Sequence, residues 1–140
     1  MSTVLWANRL VDGVVTSDES DKAAMHRHMK KLDALCELCE VRAVSSFCDS
    51  TDAQCNLEVI DLPDSMESTD ELMTAQGVWI DSESAMKSLG ALILKIRSEG
   101  TRFGLLRNDH DQILEELQES YEYAKASAAC GGKFNFSVVM

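Results

Sequence analysis

The run "LGALILKI", Leu89–Ile96, constrains the fold of this chain more than any other stretch. It lies in a helical segment that follows "VWI". Asp81 or Ser82 is placed to cap its start, and Gly100 to close its end. At helical spacing Ala85, Leu89, Leu92, Ile93 and Ile96 share one face, while Ala91 and Leu94 lie off it. A helix apolar on most sides must be covered on most sides. The run is too short to cross a bilayer, which takes about 20 apolar residues. Its cover therefore comes from the rest of the fold or from a second copy of the chain. The sequence favours a place at the centre of the fold, with a homodimer contact as an addition.

The flanking segments supply that cover. Thr3 to Thr16 reads as extended, rich in β-branched and aromatic residues, with a turn signal at Asp12-Gly13 that predicts a hairpin or two short strands. A first helix is expected from about Ser20 to Glu40. Ser45 to Asn56 reads as a polar loop, and Leu57 to Pro63 as a short strand stopped by the proline. A short helix follows, capped by Ser68 or Thr69 and ended by Gly77. Arg102 to Leu106 is a strand or a connector. A third long helix starts at Asn108 or Asp109 and ends at Gly131-Gly132. The tail "KFNFSVVM" alternates Phe134, Phe136, Val138 and Met140 against Asn135, Ser137 and Val139, as a half-buried strand does. The expected fold class is α+β, with three main helices packed with a small, mostly antiparallel sheet, in one domain spanning residues 1–140.

Charge narrows the partners. The 24 acids outnumber the 13 bases, for a formal net charge of −11. Phosphate backbones and anionic membrane surfaces recruit clustered Lys and Arg, so no nucleic-acid and no membrane partner is expected. A basic protein partner or a cation fits the balance. The N-terminal "MSTVLWANRLVDGVV" has no basic region ahead of its apolar residues and does not read as a signal peptide. A cytoplasmic location is expected, where five cysteines, an odd number, stay reduced.

Four of those cysteines fall between Leu32 and Cys55. Met25, Met29, Leu32, Cys36 and Cys39 form one stripe on the first helix, which makes both thiols packing residues. Cys36-x-x-Cys39 also has a zinc-type spacing, with Cys48 and Cys55 downstream, but the pair sits inside a helix rather than in a glycine-bearing knuckle. A redox pair would sit at a helix N-terminus, and this one sits near the end of its helix.

The third helix buries Ile113, Leu117, Tyr121, Ala124 and Ala128 and turns Glu115, Glu119 and Glu122 outward. The Glu-x-x-Glu spacings, Glu37/Glu40 and those within Glu115–Glu122, resemble the paired motifs of helical nucleotide pyrophosphohydrolases in that spacing alone. That family implies Mg²⁺ held between carboxylates. Its pairs lie close together in sequence, whereas these are separated by most of the chain, and the same spacing is ordinary on a solvated helix. A carboxylate row can equally face a basic partner, and Tyr123 among the acids adds an aromatic anchor. Asp109, His110 and Asp111 fall at a helix start, where capping and packing is the favoured role.

The leading reading is a small acidic protein-binding module of the inhibitor or immunity type, without cofactor. Its binding residues would be Glu115, Glu119, Glu122 and Tyr123. The alternatives are a divalent-metal-dependent enzyme using helix carboxylates or the Asp-His-Asp stretch, and a module stabilised by zinc through Cys36 and Cys39.

Overall fold

A computed structural model describes residues 3–140; Met1 and Ser2, the first two positions of the expected domain, lie outside the described residues. Strand β1, Val4–Val11, turns into β2, Val14–Ser17, through Asp12 and Gly13. Both turn residues have positive φ, 52° and 76°. That backbone is the primed turn whose twist matches a two-residue hairpin, and it explains the Asp-Gly pair. The C-terminal strand β5, Lys133–Val139, pairs antiparallel with β1 from Val4↔Val139 to Leu10↔Lys133. Two short strands share the other edge of β5. β3, Cys48–Asp49, is parallel to it, and β4, Ile80–Asp81, is antiparallel. The sheet order is β2-β1-β5-β3, with β4 also on β5.

The α+β class with a small, mainly antiparallel sheet stands, but the expectation of three main helices does not. Among the described residues there are six α-helices: α1 Ala23–Arg27, α2 Met29–Leu38, α3 Thr51–Asn56, α4 Thr69–Gln76, α5 Ser82–Glu99 and α6 His110–Ala129. Four of them, α2, α4, α5 and α6, are substantial. The expected first helix breaks at His28, whose φ/ψ of −108°/23° is not helical. Its ring is drawn aside to the Asp109 carboxylate, 2.9 Å away. The expected polar loop holds a 3-10 turn, Val44–Phe47, then β3 and α3. Residues 57–63 form no strand, because β3 and β4 already occupy the free edge of β5. Ser68 caps α4 as its side chain accepts from the Glu71 N–H, and Gly100 ends α5 in the left-handed conformation.

One hydrophobic core lies between the sheet and α1, α2, α5 and α6. Leu5, Ala7, Phe134 and Phe136 face it from the strands, against Met25, Leu32, Cys36, Leu89, Leu92, Ile96, Ile113 and Leu117. Phe47, Phe134 and Phe136 meet with ring centroids 5.1–6.2 Å apart. α5 is not covered on most sides as expected: it buries Ala85, Leu89, Leu92, Ile93 and Ile96 on one face, while Glu83, Lys87, Leu94 and Arg97 on the other are exposed. No helix among the described residues is long and apolar enough to cross a membrane.

The sheet's second face is the departure from a half-buried sheet. Asn135 and Ser137, expected on the solvent side of the tail strand, are buried under α3 and α4. β5 and the part of β1 facing it are therefore covered on both sides, whereas β2 stays partly exposed.

Candidate functional site: the polar face of the sheet

Strand alternation places Trp6 and Asn8 of β1 opposite Ser137 and Asn135 of β5 on this second face. Asn8 is 2% exposed, and its Nδ2 donates to Asn135 Oδ1 at 3.0 Å and to Ser137 Oγ at 2.6 Å. Asn135 in turn donates to the Val78 carbonyl at 2.8 Å. Buried amides of this kind stay in place only when paired, so the network fixes the floor of the site. Asp49 ties down the neighbouring backbone, outside the cavity lining. It is buried in β3 and accepts from the N–H groups of Thr51 and Val78 at 3.0 and 2.9 Å. Gly77 packs closely beside it, where a Cβ would lie 2.4 Å from the Met73 carbonyl oxygen and 2.9 Å from Asp49 Oδ1.

Above this floor is a cavity of about 280 Å³, bounded by Trp6, Asn8, Ser17, Glu19, Asp52, Asp70, Ser137 and Val139. Asp52 comes from α3 and Asp70 from the first turn of α4. Thr69 joins the two helices by donating to Asp52 Oδ1 at 2.9 Å. The Trp6 indole is anchored from outside, with Nε1 donating to Asp21 at 2.7 Å. Burial and then the neighbouring Asp52 charge push the Asp70 carboxyl above its ordinary range. Three of the lining side chains are carboxylates and none is Lys, Arg or His. The Asn8 amide donates on its nitrogen side, but its Oδ1 accepts no hydrogen bond among the described residues. The lining thus offers acceptors and negative charge beside one indole. It suits a cation that donates several hydrogen bonds. A bare metal ion suits it less, because among the described residues no three His, Cys, Asp or Glu side chains are grouped to hold one.

The residues singled out in the sequence lie elsewhere. Glu115, Glu119 and Glu122 are exposed on α6 as expected. Glu119 has an internal partner, Lys22 Nζ at 3.3 Å. Burial opposes its ionisation, but bonding to Ser20 and Lys22 outweighs this and holds its carboxyl below the ordinary range. Tyr123 does not join the row: it packs against the core, with the Arg9 guanidinium 5.2 Å over its ring. Cys36 is buried and Cys39 half-buried, both as free thiols. Burial pushes Cys36 up to about 11 and Cys48 up to about 12. Asp109 is buried at the start of α6, where its Oδ2 accepts from Arg27 at 2.6 Å and bonds His28 at 2.9 Å, and Arg107 stands 3.2 Å from Oδ1 as an ion pair without a hydrogen bond. The His28 bond, against the cost of burial and with help from Arg27 and Arg107, holds its carboxyl low. Asn108 does the capping there, accepting from the N–H groups of Phe103 and His110.

Sequence reasoning missed the cavity. Its acids come from three separated segments, and its one local signal, Asn8 amid an apolar strand, reads as an ordinary outward position. Comparison with family models, curated proteins and solved structures found no match for the chain.

Proposed function

We propose that this chain is a non-catalytic binding module of the inhibitor or immunity type, which takes a cationic side chain of a protein partner into the sheet-face cavity. The observation that carries the reading is the lining itself: Trp6, Glu19, Asp52 and Asp70 surround a floor whose free acceptor is Asn8 Oδ1, with no basic residue to neutralise them. Arginine fits best, because its planar group stacks on an indole and donates along several directions at once.

Titration of ¹⁵N-labelled protein with an arginine-rich peptide tests this. The Trp6 Nε1–H resonance should move saturably, and Asp52→Asn with Asp70→Asn should weaken binding by about tenfold, from roughly 0.5–1 kcal/mol per partly exposed contact. Affinity should rise with pH through the elevated pKa of Asp70, since only the ionised form attracts the cation. An unmoved Trp6 signal, or equal affinity in the double variant, would remove the reading.

A further inference from the structure

Residues 101–109 connect α5 to α6 and carry at their middle two leucines, Leu105 and Leu106, that are fully exposed. The connector is held in shape from several directions. Phe103 is buried, its N–H donates to Asn108 Oδ1 at 2.9 Å, and its carbonyl accepts from Asp109 N–H at 2.8 Å. The Arg102 guanidinium donates to the carbonyls of Gly104 and Leu105 at 2.7 and 2.8 Å, and Lys31 donates to the Arg102 carbonyl. A backbone tied down this thoroughly keeps both leucines in water, and adjacent apolar side chains held so mark a docking surface. Around them stand Arg27, Lys31, Arg102 and Arg107, against two carboxylates, the buried Asp109 and the exposed Asp111 in the first turn of α6. The tip is therefore basic in a chain whose formal net charge is −11.

A surface of the opposite character exists on the same molecule. Between α5 and α6 runs a groove of about 240 Å³ floored by Gly90, Ile93, Leu94 and Tyr121, where Leu94 is 71% exposed. Gln118 on its rim donates to Glu122 at 3.1 Å, and Glu115 lies one turn earlier on α6. Farther toward Ala129 the groove carries Lys87 and Lys125, so only the Leu94–Gln118 end complements a basic tip. We infer that the Leu105-Leu106 tip of one copy seats in the α5–α6 groove of a second copy, with its arginines facing Glu115 and Glu122. The contact joins unlike patches. Two such contacts about a twofold axis close a dimer, and one per copy leaves the assembly open to growth.

Sedimentation velocity on the full chain, from micromolar to millimolar concentration, reads this out. The wild type should self-associate, more weakly as salt rises. Leu105→Ser with Leu106→Ser should raise the dissociation constant by at least about tenfold, and so should Leu94→Glu. All three side chains are exposed, so circular dichroism and melting should match the wild type. Mixing the two variants should restore a heterocomplex, because one brings an intact groove and the other an intact tip. A wild type that stays monomeric throughout overturns the inference. So does a mixture that stays monomeric, because the intact tip of one variant would then fail to seat in the intact groove of the other, and so does a Leu94→Glu variant that associates as the wild type does, which would indicate tip-to-tip contact. Leucine-dependent binding of monomeric protein to phosphatidylserine vesicles would also overturn it, by giving the tip to a lipid surface.

Discussion

Lys22 is a lysine with no exposed surface, and its removal has a calculable cost. Its backbone bridges to Leu5 of β1, its N–H donating to the Leu5 carbonyl at 3.0 Å. Its Nζ bonds the Asp18 carboxylate, the Ser20 carbonyl at 3.0 Å and Glu119 at 3.3 Å. The two carboxylates differ in worth. The Asp18 side chain is 9% exposed, whereas that of Glu119 is 42% exposed and screened by water. Loss of a partner leaves a buried charge uncompensated at roughly 3–5 kcal/mol, while an exposed pair is worth about 0–1 kcal/mol. Lys22→Met keeps the buried stem and removes the charge, so it should cost roughly 3 kcal/mol, the low end, because Asp18 still accepts from the N–H groups of Ala7 and Ser20. Glu119→Gln should cost under about 1 kcal/mol. Adding Asp18→Asn to Lys22→Met should recover about half or more of the loss, since the orphaned charge goes with it. Urea unfolding of the four proteins measures each term as a shift in midpoint at constant slope. If Lys22→Met costs less than about 1 kcal/mol, or if Glu119→Gln costs as much as it does, the buried Asp18 arm is not what holds this corner, and the assignment fails.

Glu116 caps α1 from α6, accepting from the Met25 and Ala24 N–H groups at 2.8 and 3.3 Å. Glu116→Ala should cost roughly 2–4 kcal/mol in urea unfolding, from two orphaned donors, and Glu116→Gln about half of that. Burial raises the Glu116 carboxyl above 4.5, against the pull of those N–H groups, so folding favours its protonated form. Its contribution should be full below pH 4.5 and be lost as pH rises through the folded value; a wild-type minus Gln difference that grows with pH instead would contradict this. Among the thiols, exposed Cys130 should react first with Ellman's reagent. A rise from 9.0 to about 11 leaves Cys36 about a hundredfold less thiolate, so it should titrate only on unfolding, and immediate modification of Cys36 in the native state would refute its buried placement.

What the sequence disclosed follows the range of the interactions involved. The hairpin was legible at Asp12-Gly13, because a primed turn needs positive φ at two adjacent residues and few pairs supply it. Ser68 and Gly100 were legible as caps for the same local reason. The stripe of Met25, Leu32 and Cys36 survives a break in its helix, since a turn of kink preserves which side faces the sheet. The break itself was not legible: its cause is Asp109, 81 residues away. Nor was α3. "TDAQCN" is polar and has no apolar period, and it is helical because Asp49 receives the Thr51 N–H and Asp52 is tied to Thr69. Asn135 and Ser137 read as solvent-facing because alternation reports polarity, and polarity equals exposure only where buried polar groups lack partners. Here Asn8 partners both. The cavity inherits all of these long-range causes at once.

The same distinction between mean and local bears on charge. A net −11 describes a field that steers basic partners from a distance, and such a field acts mainly on association rate. Affinity requires enclosure. The open row of Glu115 and Glu122 on α6 presents carboxylates to water, where an ion pair is worth about 0–1 kcal/mol. Asp52 and Asp70 share a recess with an indole and a buried amide, and the raised carboxyl of Asp70 marks a place where water already screens less. Under the proposed function, neutralising the α6 row should therefore slow association with a basic partner and leave dissociation nearly unchanged. Neutralising Asp52 and Asp70 should speed dissociation. The opposite assignment, with dissociation governed by α6, would mean that the recess is a gap in packing and the binding surface is the helix.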